Sequence, residues 1–204
     1  MYRLIALRSF GDVTEGECGG LVQGPSNLSQ EGRCWVYDNA RVSGDAEVSD
    51  NARVSDNARV CGDARVSGNA RVSEDAWVSD NACVSGNAKV SDNAWVSEDA
   101  WVSDNARVSD NARVSDNARV CGDARVSGNA EVSEDAEVSG NADYIVFKNW
   151  WSSGRHLTWT RSNDMWKVGC FYGTGAELVK KAYQDSEVSG REYEKIVNYV
   201  KSIK

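Results

Sequence analysis

His156 is the only histidine of the chain, and Cys18, Cys34, Cys61, Cys83, Cys121 and Cys170 are its only thiols. His156 and Cys170 could pair as base and nucleophile; the competing reading buries such a Cys in the core of a small sheet and leaves such a His at its rim. No CxxC spacing and no cluster of histidines occurs, so the residues predict no metal site and reduced, structural thiols. Aromatic and cationic side chains offer a second chemistry. Trp150, Trp151, Trp159 and Trp166 fall near Arg155, Arg161 and Lys167, and rings beside cations are what a single-stranded nucleic acid or a nucleotide would need. The alternative use of these tryptophans is to fill the core of a small domain. Trp77, Trp95 and Trp101 form a separate group inside a repetitive stretch.

That stretch runs from Cys34 to Tyr144, with Val at every sixth position from Val36 to Val138 and Ala at every sixth from Ala40 to Ala142. A fixed short period is the mark of a solenoid. In Ala-Xaa-Val the two apolar residues lie two apart, so an extended chain points both inward and the middle residue outward. Ser, Asp/Gly/Glu and Asn/Asp follow, residue types that accept turns and left-handed backbone at least cost. Each hexad is therefore one short strand and one corner, and a larger side chain at an inward position such as Ala94 would overpack.

The pattern aliphatic-x-x-x-small-x resembles the hexapeptide repeat of left-handed β-helices, in which three hexads close a triangular coil. The fold this implies is an all-β solenoid, a left-handed parallel β-helix of about six coils. Residues 1–33 would be an N-terminal cap, 34–143 the β-helix, and 144–204 a small α+β C-terminal cap domain. The run Asn27-Leu28-Ser29, then Gly32-Arg33-Cys34-Trp35-Val36, resembles the start of YdcK-type bacterial and phage β-helix proteins, whose acyltransferase label is drawn from the fold. The resemblance implies a phage association. Hexapeptide acyltransferases use a His base beside a coenzyme A cleft, whereas this solenoid carries neither a His nor an inserted loop.

Wrapping three hexads to a coil sorts the outward residues into three ladders. The first holds Arg41, Arg59, Trp77, Trp95, Arg113 and Glu131, the second Glu47, Arg65, Cys83, Trp101, Arg119 and Glu137, the third Arg53, Arg71, Lys89, Arg107, Arg125 and Asp143. Trp77 and Trp95 should stack between Arg59 and Arg113 as a cation-π column, with Trp101 round the corner. These five residues are the expected binding patch, a flat contact for a partner or for self-association. The third ladder is either neutralised by corner Asp residues or an anion track. Cys61 and Cys121 fall on different edges and cannot be bridged.

Residues 38–143 carry ten Arg/Lys against twenty-one Asp/Glu, whereas 144–204 carry ten against six. The corner acids are turn formers, or else an acidic surface that mimics nucleic acid. In the C-terminal region, Leu157–Arg161 and Trp166–Phe171 alternate as strands, and Thr174–Glu177 and Ser189–Glu192 have the pattern of capping boxes opening two helices. No apolar run is long enough to span a bilayer or act as a signal. The expectation is a cytoplasmic, non-catalytic binding or scaffolding solenoid without cofactors, acting as a homo-oligomer or on a protein partner. Nucleic acid is a candidate at the basic C-terminal surface (Trp150, Trp151, Trp159, Arg161, Trp166), and a divergent acyltransferase is the runner-up.

Overall fold

A computed structural model describes residues 1–204. Three parallel sheets, each built from two-residue rungs, form the faces of a β-solenoid of about seven turns. Face 1 carries Arg41, Arg59, Trp77, Trp95, Arg113 and Glu131 on successive rungs, and face 2 carries Glu47, Arg65, Cys83, Trp101, Arg119 and Glu137. Face 3 carries Trp35, Arg53, Arg71, Lys89, Arg107 and Arg125. Successive coils are joined by backbone bonds such as Arg59 N to Ala76 O at 2.9 Å and Ser43 N to Val60 O at 3.0 Å. The inward Val from Val36 to Val138 and Ala from Ala40 to Ala136 are all buried in one continuous core. Fully burying each Val contributes roughly 1.5–3 kcal/mol, which explains how strands of two residues hold together.

The corners explain the acidic composition. Most close with a bond such as Ala58 N to Ser55 O at 3.1 Å, and the residue after Ser has positive φ, whether Asp (Asp56, 60°), Glu (Glu74, 62°) or Gly (Gly68, 67°). A side chain there meets the steric penalty of left-handed backbone. Aspartate offsets it by accepting the N–H of the same corner one coil on: Gly68 N to Asp50 Oδ2 at 2.8 Å, Asp110 N to Asp92 Oδ2 at 3.2 Å, Gly128 N to Asp110 Oδ2 at 2.9 Å. The corner residues are turn formers, but their carboxylates are also part of the backbone hydrogen-bond system rather than simply solvated.

The extra turn lies where no hexad is visible. Strand β1 (Tyr2–Ile5) pairs antiparallel with β2 (Cys18–Val22), and β2 joins face 1 in parallel, with Val22 opposite Val42. Leu28 bridges in parallel to Val48, and Val36 pairs with Val54. Val22, Leu28 and Val36 therefore form a first coil in which only the step from Leu28 to Val36 is longer than a hexad. Asn27 staples it: its buried Nδ2 donates to Gly44 O and Ala46 O, while Oδ1 accepts from Gln23 N and Gly24 N. At Gly20 a Cβ would stand 2.6 Å from Ala40 O, so only glycine lets β2 approach the coil so closely.

The other end is closed by Asn141 and by side chains of the C-terminal unit. That unit has four antiparallel strands, β3 (Tyr144–Lys148), β4 (His156–Thr160), β5 (Met165–Val168) and β6 (Phe171–Thr174), followed by α1 (Gly175–Asp185) and α2 (Glu187–Ser202). Each face ends in an amide capped by a side-chain oxygen: Glu131 N on face 1 by Thr158 Oγ1 at 2.9 Å, Glu137 N on face 2 by Ser162 Oγ at 2.8 Å, Arg125 N on face 3 by Asn141 Oδ1 at 2.9 Å.

Three expectations change here. Ala142 keeps the sequence period but is exposed, because the chain has already left the coil. Asp143 does not extend the third ladder; it turns back to accept from Ser139 N and Gly140 N at 3.0 and 2.7 Å. The Thr174–Glu177 capping box is present, but α2 starts earlier than Ser189, on Ser186, whose Oγ accepts from Ser189 N at 3.1 Å.

Candidate functional site

Parallel pairing places Trp77 beside Trp95, with Arg59 and Arg113 on the flanking rungs. The indole centroids are 5.3 Å apart with planes 11° from parallel. Arg59 and Arg113 each lie 5.6 Å from the centroid of their own indole, completing the expected column. Round the corner on face 2, Trp101 is covered on one side by Arg119 at 5.9 Å. Arg119 was not among the expected patch residues, although it follows Trp101 by one coil in the same ladder.

Each indole leans over the preceding coil and finds a partner for its N–H: Cys61 Sγ for Trp77 at 3.2 Å, Ser79 Oγ for Trp95 at 3.5 Å, Ser85 Oγ for Trp101 at 3.3 Å. The indole N–H groups are thus partnered, yet Trp77, Trp95 and Trp101 remain 37%, 39% and 46% exposed. Rungs stack side chains face to face along the rod. In the face-1 column the flat surfaces are therefore covered by neighbours, and ring edges meet solvent. The patch is a ridge rather than the flat surface expected, a shape that fits protein contact better than base stacking.

In the C-terminal unit the structure separates the candidates. Trp159 and Trp166 are opposite each other on β4 and β5 and are each only 1% exposed, in a core with Leu157, Leu178, Val197 and Val200. They cannot belong to a stacking surface, because this sheet turns one side onto the two helices. Trp159 Nε1 donates to Asp164 Oδ1 at 2.8 Å, and Lys204 pairs with Asp164 and covers the Trp159 ring. Trp151 is half-buried edge-on to Tyr193, Arg161 is exposed, and Trp150, 76% exposed, is the one open ring of the group.

His156 and Cys170 do not form a pair. His156 Nε2 lies 3.5 Å from Asn129 Nδ2 of the coil above, and Cys170 is exposed at the turn between β5 and β6 rather than in the core. All six cysteines are free thiols. Burial pushes Cys34 up to about 11, and desolvation likewise raises Cys83 and Cys121, so none of these three is an activated thiolate. A cleft of about 430 Å³ beside Cys170, lined by Arg155, Phe171, Lys181, Ser186 and Tyr193 among others, was not foreseen. Its residues are scattered from 149 to 193 and share no sequence pattern.

Among the corner acids, Glu74 shares a hydrogen bond with Asp92 one coil on. That bond and the nearby charge raise the Glu74 carboxyl, while the Asp110 N–H holds Asp92 below the usual carboxylate range. Glu98 is raised in the same way by Asp116.

Comparison with known proteins places the repeat. Residues 46–62, 58–74, 64–80, 100–116, 106–122 and 118–134 each match the family model of the YdcK β-solenoid repeat. The coils over residues 46–80 and 100–134 are similar to YdcK-type repeats. These matches fall on the coils, not on the stretch from Asn27 to Val36 that prompted the resemblance. Over 41 residues the chain is also 39% identical to the uncharacterized acetyltransferase YdcK of Escherichia coli (strain K12). That match spans 20% of this chain and 13% of the relative. No helix is long and apolar enough to cross a membrane.

Proposed function

We propose that this YdcK-type solenoid is a binding and scaffolding module that associates with a second copy of itself through the tryptophan ridge. The observation that carries the reading is the Arg59–Trp77–Trp95–Arg113 column, stacked and exposed in the middle of a rod whose outward positions are otherwise mostly charged. Charged outer positions keep a β-solenoid soluble and single; here three of them have been given to indoles. The column also reads the same in both directions. A two-fold axis between Trp77 and Trp95 would set each Trp against its counterpart, the self-complementary arrangement of an isologous dimer. The acidic corners of one copy supply partners for Arg59, Arg113 and Arg119 of the other. About two fifths of each indole is still exposed, so of the roughly 150–250 Å² that an aromatic side chain can bury, about 60–100 Å² each remains for the contact.

Replacing Trp77, Trp95 and Trp101 together with Arg should leave the β-sheet circular dichroism intact and lower the light-scattering mass to that of one chain. A wild-type protein that is already a single chain at high micromolar concentration would refute self-association.

The similarity to a protein named as an acetyltransferase favours a second reading, a divergent acyltransferase. It covers 20% of this chain, and His156 faces Asn129 rather than a nucleophile. Transfer of an acetyl group from acetyl coenzyme A that disappears in His156→Ala would establish it over the scaffold.

A further inference from the structure

Face 3 differs from the other two. Arg53, Arg71, Lys89, Arg107 and Arg125 stand on adjacent rungs without interruption, about 4.8 Å apart by ordinary strand spacing. Like charges abreast in a sheet repel. On faces 1 and 2 the guanidiniums of Arg59, Arg113 and Arg119 rest on indoles. On face 3 only Arg53 has a carboxylate partner, Asp12 at 2.7 Å, and no ion pair involves Arg71, Lys89, Arg107 or Arg125.

Most of the nearby carboxylates take hydrogen bonds that run along the rod, Glu74 excepted. At the corner that follows face 3, Asp56 takes Ser55 Oγ and Glu74 N, Asp92 takes Ser91 Oγ and Asp110 N, and Asp110 takes Gly128 N, so these acids point along the rod. The corner that precedes it carries Asp50 and Asp104, which accept Gly68 N and Gly122 N, and a column of amides ending in Asp123. Asn51, Asn69, Asn87 and Asn105 each donate one Nδ2 hydrogen to the next residue of their column, at 3.3, 3.0, 3.1 and 3.1 Å. Each keeps a second hydrogen free for a ligand. Where the two rows begin, a groove of about 280 Å³ is lined by Gly11, Arg33, Asn51, Arg53, Asn69 and Arg71.

We propose that face 3 binds an extended acidic polysaccharide lying along the rod, its carboxylates on the cation row and its hydroxyls on the asparagine row. Rungs about 4.8 Å apart repeat on the scale of one sugar ring, so a chain with one carboxylate per sugar meets about one cation per rung. A single-stranded nucleic acid would need rings on which to stack its bases, and the one aromatic residue on this face, Trp35, is buried. A duplex is broad enough to bring its second strand against Asp56, Glu74 and Asp92. The ligand that fits is narrow, hydroxylated and regularly charged.

The test uses the whole chain in affinity electrophoresis with polygalacturonate, neutral dextran, and a single-stranded oligonucleotide of equal charge. Polygalacturonate should retard the wild-type protein and dextran should not. The triple variant R71Q/K89Q/R107Q should lose about tenfold or more in affinity at low salt, with a shallower salt dependence. The variant R41Q/R65Q/K201Q, equal in charge change but off the face, should keep its affinity within about twofold. No retardation of the wild type, equal losses in both variants, or an oligonucleotide held as tightly as the glycan would each overturn the proposal. Lys89→Gln supplies a readout without ligand: if the row is uncompensated, the melting temperature rises at low salt and the gain fades at high salt. A fall or no change would show that the row is already neutralised.

Discussion

At the scale of single residues, the corner aspartates hold conformation and charge together. Asp110 has φ 59° and accepts Gly128 N at 2.9 Å. Asp110→Ala keeps the steric penalty and removes the acceptor, and should cost about 1–2 kcal/mol. Asp110→Gly removes the same acceptor but relieves the backbone, so it should cost clearly less. Denaturant unfolding of the two variants separates the effects; equal losses would mean that positive φ is not what selects the corner residue. The sequence made these positions readable as turns, because Asp, Gly and Asn recur there. It did not reveal that the carboxylates bond from coil to coil, since that depends on which atoms the wrapping brings abreast.

Among elements, the ladders of faces 1 and 2 run in step. Arg59, Trp77, Trp95 and Arg113 on one correspond to Arg65, Cys83, Trp101 and Arg119 on the other, so Cys83 occupies the place where a second indole would complete the column. Cys83→Trp should stack on Trp101 and bring its N–H towards Ser67, stabilising the rod by roughly 0.5–1.5 kcal/mol. A raised melting temperature checks this, and a lowered one would mean that the gap beside Trp101 does not admit a ring. The face-1 column was legible from the repeat alone because every coil there has the same length. The first coil was not, since Ser26 and Gly32 stand where the repeat has Ala and the step from Leu28 to Val36 is two residues longer than a hexad. Trp159 and Trp166 were misplaced for another reason: alternation shows that a strand has two sides but not which of them α1 and α2 will cover.

For the molecule as a whole, stability depends on finishing three open sheets at once. Thr158, Ser162 and Asn141 each satisfy one terminal amide, and no single element of the C-terminal unit does so for all three faces. A chain ending at Asp143 keeps Asn141 but loses Thr158 and Ser162, and would present unpaired edges on faces 1 and 2. Light scattering should then show particles that grow with time and concentration, and a stable, monodisperse truncated rod would show that the coils need no such closure. The same three-fold build fixes how the two ends face each other. One hexad gained or lost would turn the C-terminal unit by a third of a revolution about the long axis, while three together would change only the distance. Hexad number thus sets the azimuth between Trp150 at one end and Arg3 at the other, and length can evolve without disturbing that angle only in whole coils.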